Sequence, residues 1–233
     1  MTPASSQTRW SLVERAKGDS PQARAALADL CAIYYAPVHG FVRRWCQGMD
    51  EEARDLTQAF FAQVLVGRSL NGAESGQGRF RSYLFGAVKH FISSLHRDAR
   101  ASKRGGGVVH EGDEAAMEVA DTRSLPPDAE FDRAWACAVL DRTLILLENE
   151  MRETGKLAVF AELKPWLAGT AAHGDTAAAA TRLGVSETAV RVLLSRLRKR
   201  MRERLRAELA QTLVSEADVD AEMRHLAEAL TAP

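Results

Sequence analysis

Basic side chains at a spacing suited to DNA binding follow a predicted tight turn in the C-terminal third of the sequence. A small-residue helix is predicted over 175–183, Gly184 allows the turn, and Ser186 suits the N-cap of a second helix. This order is typical of a helix-turn-helix, whose second helix reads base edges and contacts phosphates. The alternative is a plain basic amphipathic helix in a bundle. The residues predicted to contact DNA are Ser186, Thr188, Arg191, Ser195, Arg196 and Lys199.

A second basic segment combines cations with aromatic side chains. The range 79–104 carries seven Lys or Arg and one acid, and 186–206 carries eight and two. The intervening range 108–132 carries eight acids and one base, and the tail after 206 carries six and one. In a chain of zero net charge, two basic islands indicate two polyanion-binding surfaces. Cations beside aromatic rings suit single-stranded nucleic acid, whereas helical periodicity favours the core for Leu84 and Phe91.

No pattern in the sequence indicates enzymatic chemistry. A P-loop, an HExxH motif and a GxSxG motif are all missing, and the glycines at 105–107 follow a predicted helix rather than a strand. The three cysteines and six histidines show no metal-ligand spacing. We therefore predict no catalytic residue, no metal and no cofactor.

The elements that position these residues are predicted to be helical throughout. Pro37 is expected to break or kink one segment into two helices, and 50–66 shows an apolar stripe of Leu56, Phe60, Phe61 and Val64. The predicted helices are 22–35, 38–46, 50–66, 80–104, 130–152, 156–168, 175–183, 186–213 and 216–230. The fold class is all-α, with two helical domains joined by a flexible acidic linker. The predicted domains are 1–104 and 130–212, the linker is 105–129, and an acidic extension covers 213–233.

Nothing in the sequence predicts export or membrane insertion. The first twelve residues have no apolar signal-peptide core, and uninterrupted apolar stretches fall short of the roughly 20 residues that span a bilayer. An odd number of widely spaced cysteines favours reduced thiols. The expected location is the cytoplasm.

Several segments resemble the sigma-70 superfamily of bacterial transcription factors, and most closely its small two-domain extracytoplasmic-function members. The segments are TRWSLV (8–13), ARDLTQAFFAQVL (53–65), GRFRSYLFGAVKHFISSLHRDARASKRGGG (78–107) and the helix-turn-helix, which together cover most of the chain. The resemblance implies binding to core RNA polymerase and to promoter DNA. The helix-turn-helix residues would read the −35 element. The implied −10 residues are Arg79, Lys89, His90, Arg97 and Arg100, and the implied polymerase-binding residues are Asp50, Glu51, Glu52, Asp55 and Gln58.

The polymerase-binding helix departs from the pattern that it resembles. Arg54 and Ala59 stand where family members carry acids, and Thr57 lies between them. In the resembled subgroup a Ser/Thr kinase phosphorylates a Thr at this place and restores the negative charge. The resemblance therefore implies a phosphorylation switch at Thr57, which is expected about 100° around the helix from Leu56, on the face left free by the apolar residues.

Two other functions are compatible with parts of the sequence. A helix-turn-helix regulator that does not bind polymerase would account for the C-terminal module but leave 53–65 without a role. An enzyme would need a catalytic motif that the sequence lacks. The expected partners are core polymerase, promoter DNA and a Ser/Thr kinase, and the sequence indicates no anti-sigma partner.

Overall fold

The computed structural model describes residues 11–16, 20–66, 79–104, 127–167, 176–213 and 215–231. Every regular element in these ranges is helical, which confirms the all-α class. The α-helices are α1 (Ser11–Arg15), α2 (Pro21–Trp45), α3 (Asp50–Val66), α4 (Phe80–Arg104), α5 (Pro127–Glu153), α6 (Leu157–Leu167), α7 (Thr176–Leu183), α8 (Glu187–Ala210) and α9 (Val219–Thr231), with a short 3₁₀ turn at Glu216–Asp218. Most of the predicted linker, 105–126, lies outside the described residues, and its last residues begin α5.

Helix α2 begins as predicted but does not end at its proline. The Ser20 hydroxyl accepts a hydrogen bond from the Ala23 amide at 3.0 Å and caps the helix, and Pro21 takes the first helical position. The predicted division into two helices at Pro37 is wrong, because one helix runs from Pro21 to Trp45. An internal proline costs about 3 kcal/mol. Burial of Tyr34 and Val38 on the same face as Pro37 offsets this cost.

By length and composition alone, α2 could also cross a membrane. It has 25 residues and is the one helix in the described part of the chain with that property. Nine of its side chains are buried against other helices, and a buried core helix passes the same test. The length of α2 therefore carries no membrane assignment.

The chain divides into two compact units. The first unit, called here the N-terminal unit, contains Met1–Ala138 together with Ala210–Pro233. Its core includes Tyr34, Phe60, Phe80 and Trp135, all nearly inaccessible to solvent. The sequence of the predicted acidic extension thus packs with the N-terminal part of the chain, because its apolar residues are buried there.

The second unit, Val139–Leu209, contains the helix-turn-helix. Its core is an apolar cluster of Leu147, Phe160, Leu163, Ala179, Ala180, Val190 and Leu197. Gly184 adopts a φ of +66°, and the Val185 amide donates to the Ala180 carbonyl at 3.0 Å, so α7 ends where the sequence predicts. The Ser186 hydroxyl accepts from the Ala189 amide at 3.2 Å and caps α8. Buried Ala179 and Ala180 leave room for the close approach of α8.

An ion-pair network joins α5 to α8 within the second unit. Arg204 donates two hydrogen bonds to Oε2 of Glu150, at 2.8 and 2.6 Å, and Arg200 pairs with Oε1. Burial by itself would raise the pKa of Glu150, but the hydrogen bonds from both arginines outweigh it and hold that pKa below its ordinary value. The Glu150 carboxylate therefore stabilises the folded unit in its charged form.

We expect Glu150→Gln to reduce the sensitivity of this unit to acid. Because folding lowers the pKa of Glu150, its contribution is complete above the ordinary value of 4.5 and is lost as the pH falls through the lowered value. The variant should lose about 1–2 kcal/mol near neutral pH and change less than the wild type on further acidification. Thermal unfolding measured against pH tests this, with Glu153→Gln on the exposed surface of α5 as the control. Parallel curves for wild type and Glu150→Gln would contradict the assignment.

Candidate nucleic-acid interface

One face of α8 presents three arginines and one serine to solvent in a row. Arg191, Ser195, Arg198 and Arg202 follow at intervals of four, three and four residues, which places them on one line along the helix. Together with Leu194 and Lys199 they line a shallow surface depression. All four members of the row are exposed, while Val190, Leu194, Leu197 and Leu205 face the core. The helix therefore presents its arginines beside its buried apolar face, and the exposed side is open to a DNA groove.

The cations of α8 differ in whether an acid neutralises them. Arg200 and Arg204 are committed to Glu150, whereas Arg191 makes only an exposed pair with Glu187 at 3.3 Å. Lys199 lies 4.0 Å from Glu203, also at the surface. Among the described residues, Arg196, Arg198 and Arg202 contact no acidic side chain. These three retain their full charge for a polyanion.

The residues of α8 that are exposed in the row differ in part from those predicted to contact DNA. Of the residues predicted to contact DNA, Thr188, Arg191, Ser195 and Lys199 are exposed on or beside the row. Ser186 is exposed, but its hydroxyl is occupied as the N-cap. Arg196 is exposed at about 140° around the helix from Arg191, so it lies away from the row. Arg198 and Arg202 were missing from the predicted set, although their spacing from Arg191 was the signal that could have identified them.

The implied −10 residues do not form a single free surface on α4. His90 and Arg97 are exposed and two turns apart on one side of the helix. Lys89 is half-buried, with its Nζ 5.3 Å from the centre of the Phe85 ring. Arg79, just before the helix, pairs with the buried carboxylate of Glu222 at 3.0 Å. The side chain of Arg100 and the glycine-rich segment 67–78 lie outside the described residues.

The aromatic side chains of α4 point toward the core rather than toward an open binding surface. The Phe80 ring packs edge-on against Tyr34 at 5.2 Å, and Phe91 lies 5.6 Å from Phe60. Phe85 contacts Phe131, with 4.8 Å between ring centres. The core role favoured by helical periodicity is confirmed for Leu84, which is 1% exposed, while Phe91 is half-buried.

The implied polymerase-binding residues form an exposed polar face on α3. This face consists of Asp50, Glu51, Glu52, Asp55 and Gln58. Asp50 already has local partners, because Arg54 contacts it at 3.0 Å and Arg43 at 3.6 Å. His39 lies 3.8 Å away on the same carboxylate. Asp50 is therefore shared among local partners at the surface, while Glu51, Glu52 and Asp55 are exposed.

The predicted position of Thr57 on this exposed face is wrong. Its side chain is 0% exposed, and its hydroxyl donates to the Ala53 carbonyl at 2.6 Å. Ala53, Thr57, Phe60 and Phe61 form the buried stripe, while Leu56 is only half-buried. The small side chains of Ala53 and Thr57 allow close packing against the core. The buried face of α3 is therefore centred on these residues and not, as the sequence had suggested, on Leu56. A kinase cannot reach this hydroxyl while α3 stays packed.

Comparison with models of protein families, with curated proteins and with solved structures finds no match to this chain. In the part of the chain that the structure describes, no group of three or more His, Cys, Asp or Glu side chains is placed to hold a metal ion.

We expect Thr57→Glu to destabilise the protein instead of imitating phosphorylation. The substitution places a carboxylate in a fully buried position, which should cost about 3 kcal/mol or more. Thr57→Val removes only a hydroxyl that bonds to its own helix, and it should change stability by less than about 1 kcal/mol. Urea unfolding of the two variants provides the comparison. A Thr57→Glu protein as stable as the wild type would show that the site opens readily.

A double replacement, Arg198→Ala with Arg202→Ala, should weaken binding to duplex DNA. Loss of two phosphate contacts should reduce the slope of log affinity against log salt by about 1.8. Fluorescence anisotropy across a salt series measures that slope. Arg152→Ala, at an exposed position of α5, is the matched control, and Arg196→Ala should have the smaller effect that its position off the row implies. Effects that scale only with the number of charges removed, with each single variant giving half the effect of the double replacement, would mean that binding depends on net charge alone.

Proposed function

We propose that this protein is a sigma-type promoter-specificity factor, which binds core RNA polymerase and directs transcription initiation at particular promoters. The observation that carries the proposal is the row of exposed cations on the second helix of a helix-turn-helix, with Arg198 and Arg202 free of acidic partners among the described residues. Such a helix fits the major groove and would contact the −35 element. The proposal includes two helical domains joined by the acidic linker, and a cytoplasmic location.

The exposed acids of α3 support a docking role for the N-terminal unit. Glu51, Glu52 and Asp55 are exposed along one side of the helix, with Gln58 one turn farther on. A surface of this kind attracts a basic partner and sets the rate and specificity of association more than the final affinity. In the proposed function the partner is the polymerase. Activation by phosphorylation of Thr57 stays a prediction, and it requires α3 to leave its packing first.

A second candidate is a helix-turn-helix regulator that binds DNA without polymerase. The observation that favours it is the asymmetry of the two basic segments. Arg198 and Arg202 on α8 have no acidic partner among the described residues, while Arg79 beside α4 is paired with Glu222. Such a protein would need only α8 to bind its site. The exposed acids of α3 would then have no assigned role.

Run-off transcription with purified core polymerase separates the two functions. The proposed factor should support initiation from a cognate promoter, and Glu52→Lys with Asp55→Lys should reduce its affinity for polymerase about tenfold, or ~1.4 kcal/mol. Glu153→Lys on α5 changes charge at an exposed position outside this surface and serves as the control. A protein that binds duplex DNA through α8 yet neither binds polymerase nor initiates transcription is the regulator instead.

A further inference from the structure

A buried carboxylate connects the C-terminal helix α9 to the start of α4. Glu222 of α9 is 2% exposed. Its Oε1 accepts a hydrogen bond from Nε of Arg81 at 3.2 Å, and its Oε2 lies 3.0 Å from Nε of Arg79. The Arg79 contact lacks hydrogen-bond alignment, so Oε2 accepts no hydrogen bond from the described residues. A single acid thus holds two arginines of the basic segment 79–104.

A second contact one turn along α9 reinforces the first. Nε2 of His225 lies 2.8 Å from Oδ2 of Asp132 on α5, and Arg81 donates to the other oxygen of the same carboxylate. The Arg81 guanidinium also lies over the Trp135 ring, 4.8 Å from its centre. Glu222 and His225 are therefore adjacent on the face of α9 that contacts the basic segment.

The segment that precedes α9 also packs against the start of α4. The Phe80 amide donates to the Thr212 carbonyl at 3.4 Å, which brings segment 210–213 against the first residue of α4. Leu213, Val219, Leu226 and Ala229 are buried, so the whole C-terminal segment is docked by an apolar face. Residues 210–233 contain five acids and one arginine. A net-negative segment consequently lies where phosphates would have to approach Arg79 and Arg81.

We propose that residues 210–231 act as an intramolecular competitor of nucleic acid, with Glu222 occupying the arginines at the start of α4. The inference rests on the proposed function, for which the resemblance implies a −10 role of Arg79, and it adds that docking of α9 restrains this role. Displacement of α9 frees Arg79 for a single strand and leaves Arg81 paired with Asp132, while docking keeps both arginines on Glu222. The ligand that competes is a polyanion, namely single-stranded DNA.

Glu222→Gln in the full-length chain tests this competition. The variant keeps the size of the side chain, and Arg81 retains Asp132 as a partner, so the fold should persist. Since Arg79 is the arginine that this change frees, anisotropy of a labelled single-stranded oligonucleotide should show binding about fivefold tighter at 0.1 M salt, with a salt slope steeper by about 0.7. Glu228→Gln removes the same charge from an exposed position of α9 and should change affinity far less.

Two further variants assign the effect to the contact itself. In an Arg79→Ala background, Glu222→Gln should lose at least half of its gain in log affinity. His225→Ala weakens the docking of α9 without leaving Glu222 unpaired, and it should also tighten binding, which keeps the test decisive if Glu222→Gln does not fold. Hydrogen exchange of α9 in the wild type should rise when the oligonucleotide is added.

The outcomes separate this inference from the proposed function. Equal affinity for Glu222→Gln, His225→Ala and Glu228→Gln would overturn the competition, whatever the transcription assay shows. A gain with Glu222→Gln that persists unchanged in the Arg79→Ala background would overturn it as well. Tighter binding by Glu222→Gln and His225→Ala, without initiation by any variant, would uphold the competition and reject the promoter-specificity function.

Discussion

The Arg81 guanidinium needs acidic partners because it is almost completely buried, and this requirement brings distant parts of the chain together. It pairs with Asp132 of α5 and Glu222 of α9, and it lies over Trp135. Replacing a buried network by apolar residues is often neutral, whereas removing one partner costs about 3–5 kcal/mol. Arg81 thus contributes less to net stability than to the choice of α5 and α9 as the helices that pack against α4. The C-terminal helix belongs to the N-terminal unit for this reason and because its apolar face is buried there.

The two basic segments consequently have different electrostatic states. On α8 the structure neutralises the cations that face α5, through Glu150, and leaves Arg198 and Arg202 without acidic partners in the described residues. At the start of α4 the cations are paired with Glu222 instead. The two basic segments have the same net charge in the sequence. In the structure, the cations of α8 are open to solvent, whereas those at the start of α4 are covered by the C-terminal helix. This difference is what makes α8 the stronger candidate for DNA contact.

The helix-turn-helix was predictable because its determinants are local. Ser186 caps α8, Gly184 adopts the positive φ that the turn needs, and Ala179 and Ala180 are buried as small side chains at a close helix contact. The break at Pro37 was predicted from the missing backbone donor alone, and burial around the proline overrides that loss. The orientation of α3 was predicted from its large apolar residues, whereas close packing of Ala53 and Thr57 determines it.

By itself the sequence determined the all-α class, the helix-turn-helix with its caps, and the existence of two basic segments. These features follow from helical periodicity, capping chemistry and charge counts, which act over a few residues. Only the tertiary structure decided that Thr57 is buried, that Arg198 and Arg202 complete the row on α8, and that Glu222 neutralises Arg79 and Arg81. The reason is physical: the partner of a charge and the burial of a side chain depend on residues far apart in the chain, such as Arg81 and Glu222, which are 141 positions apart.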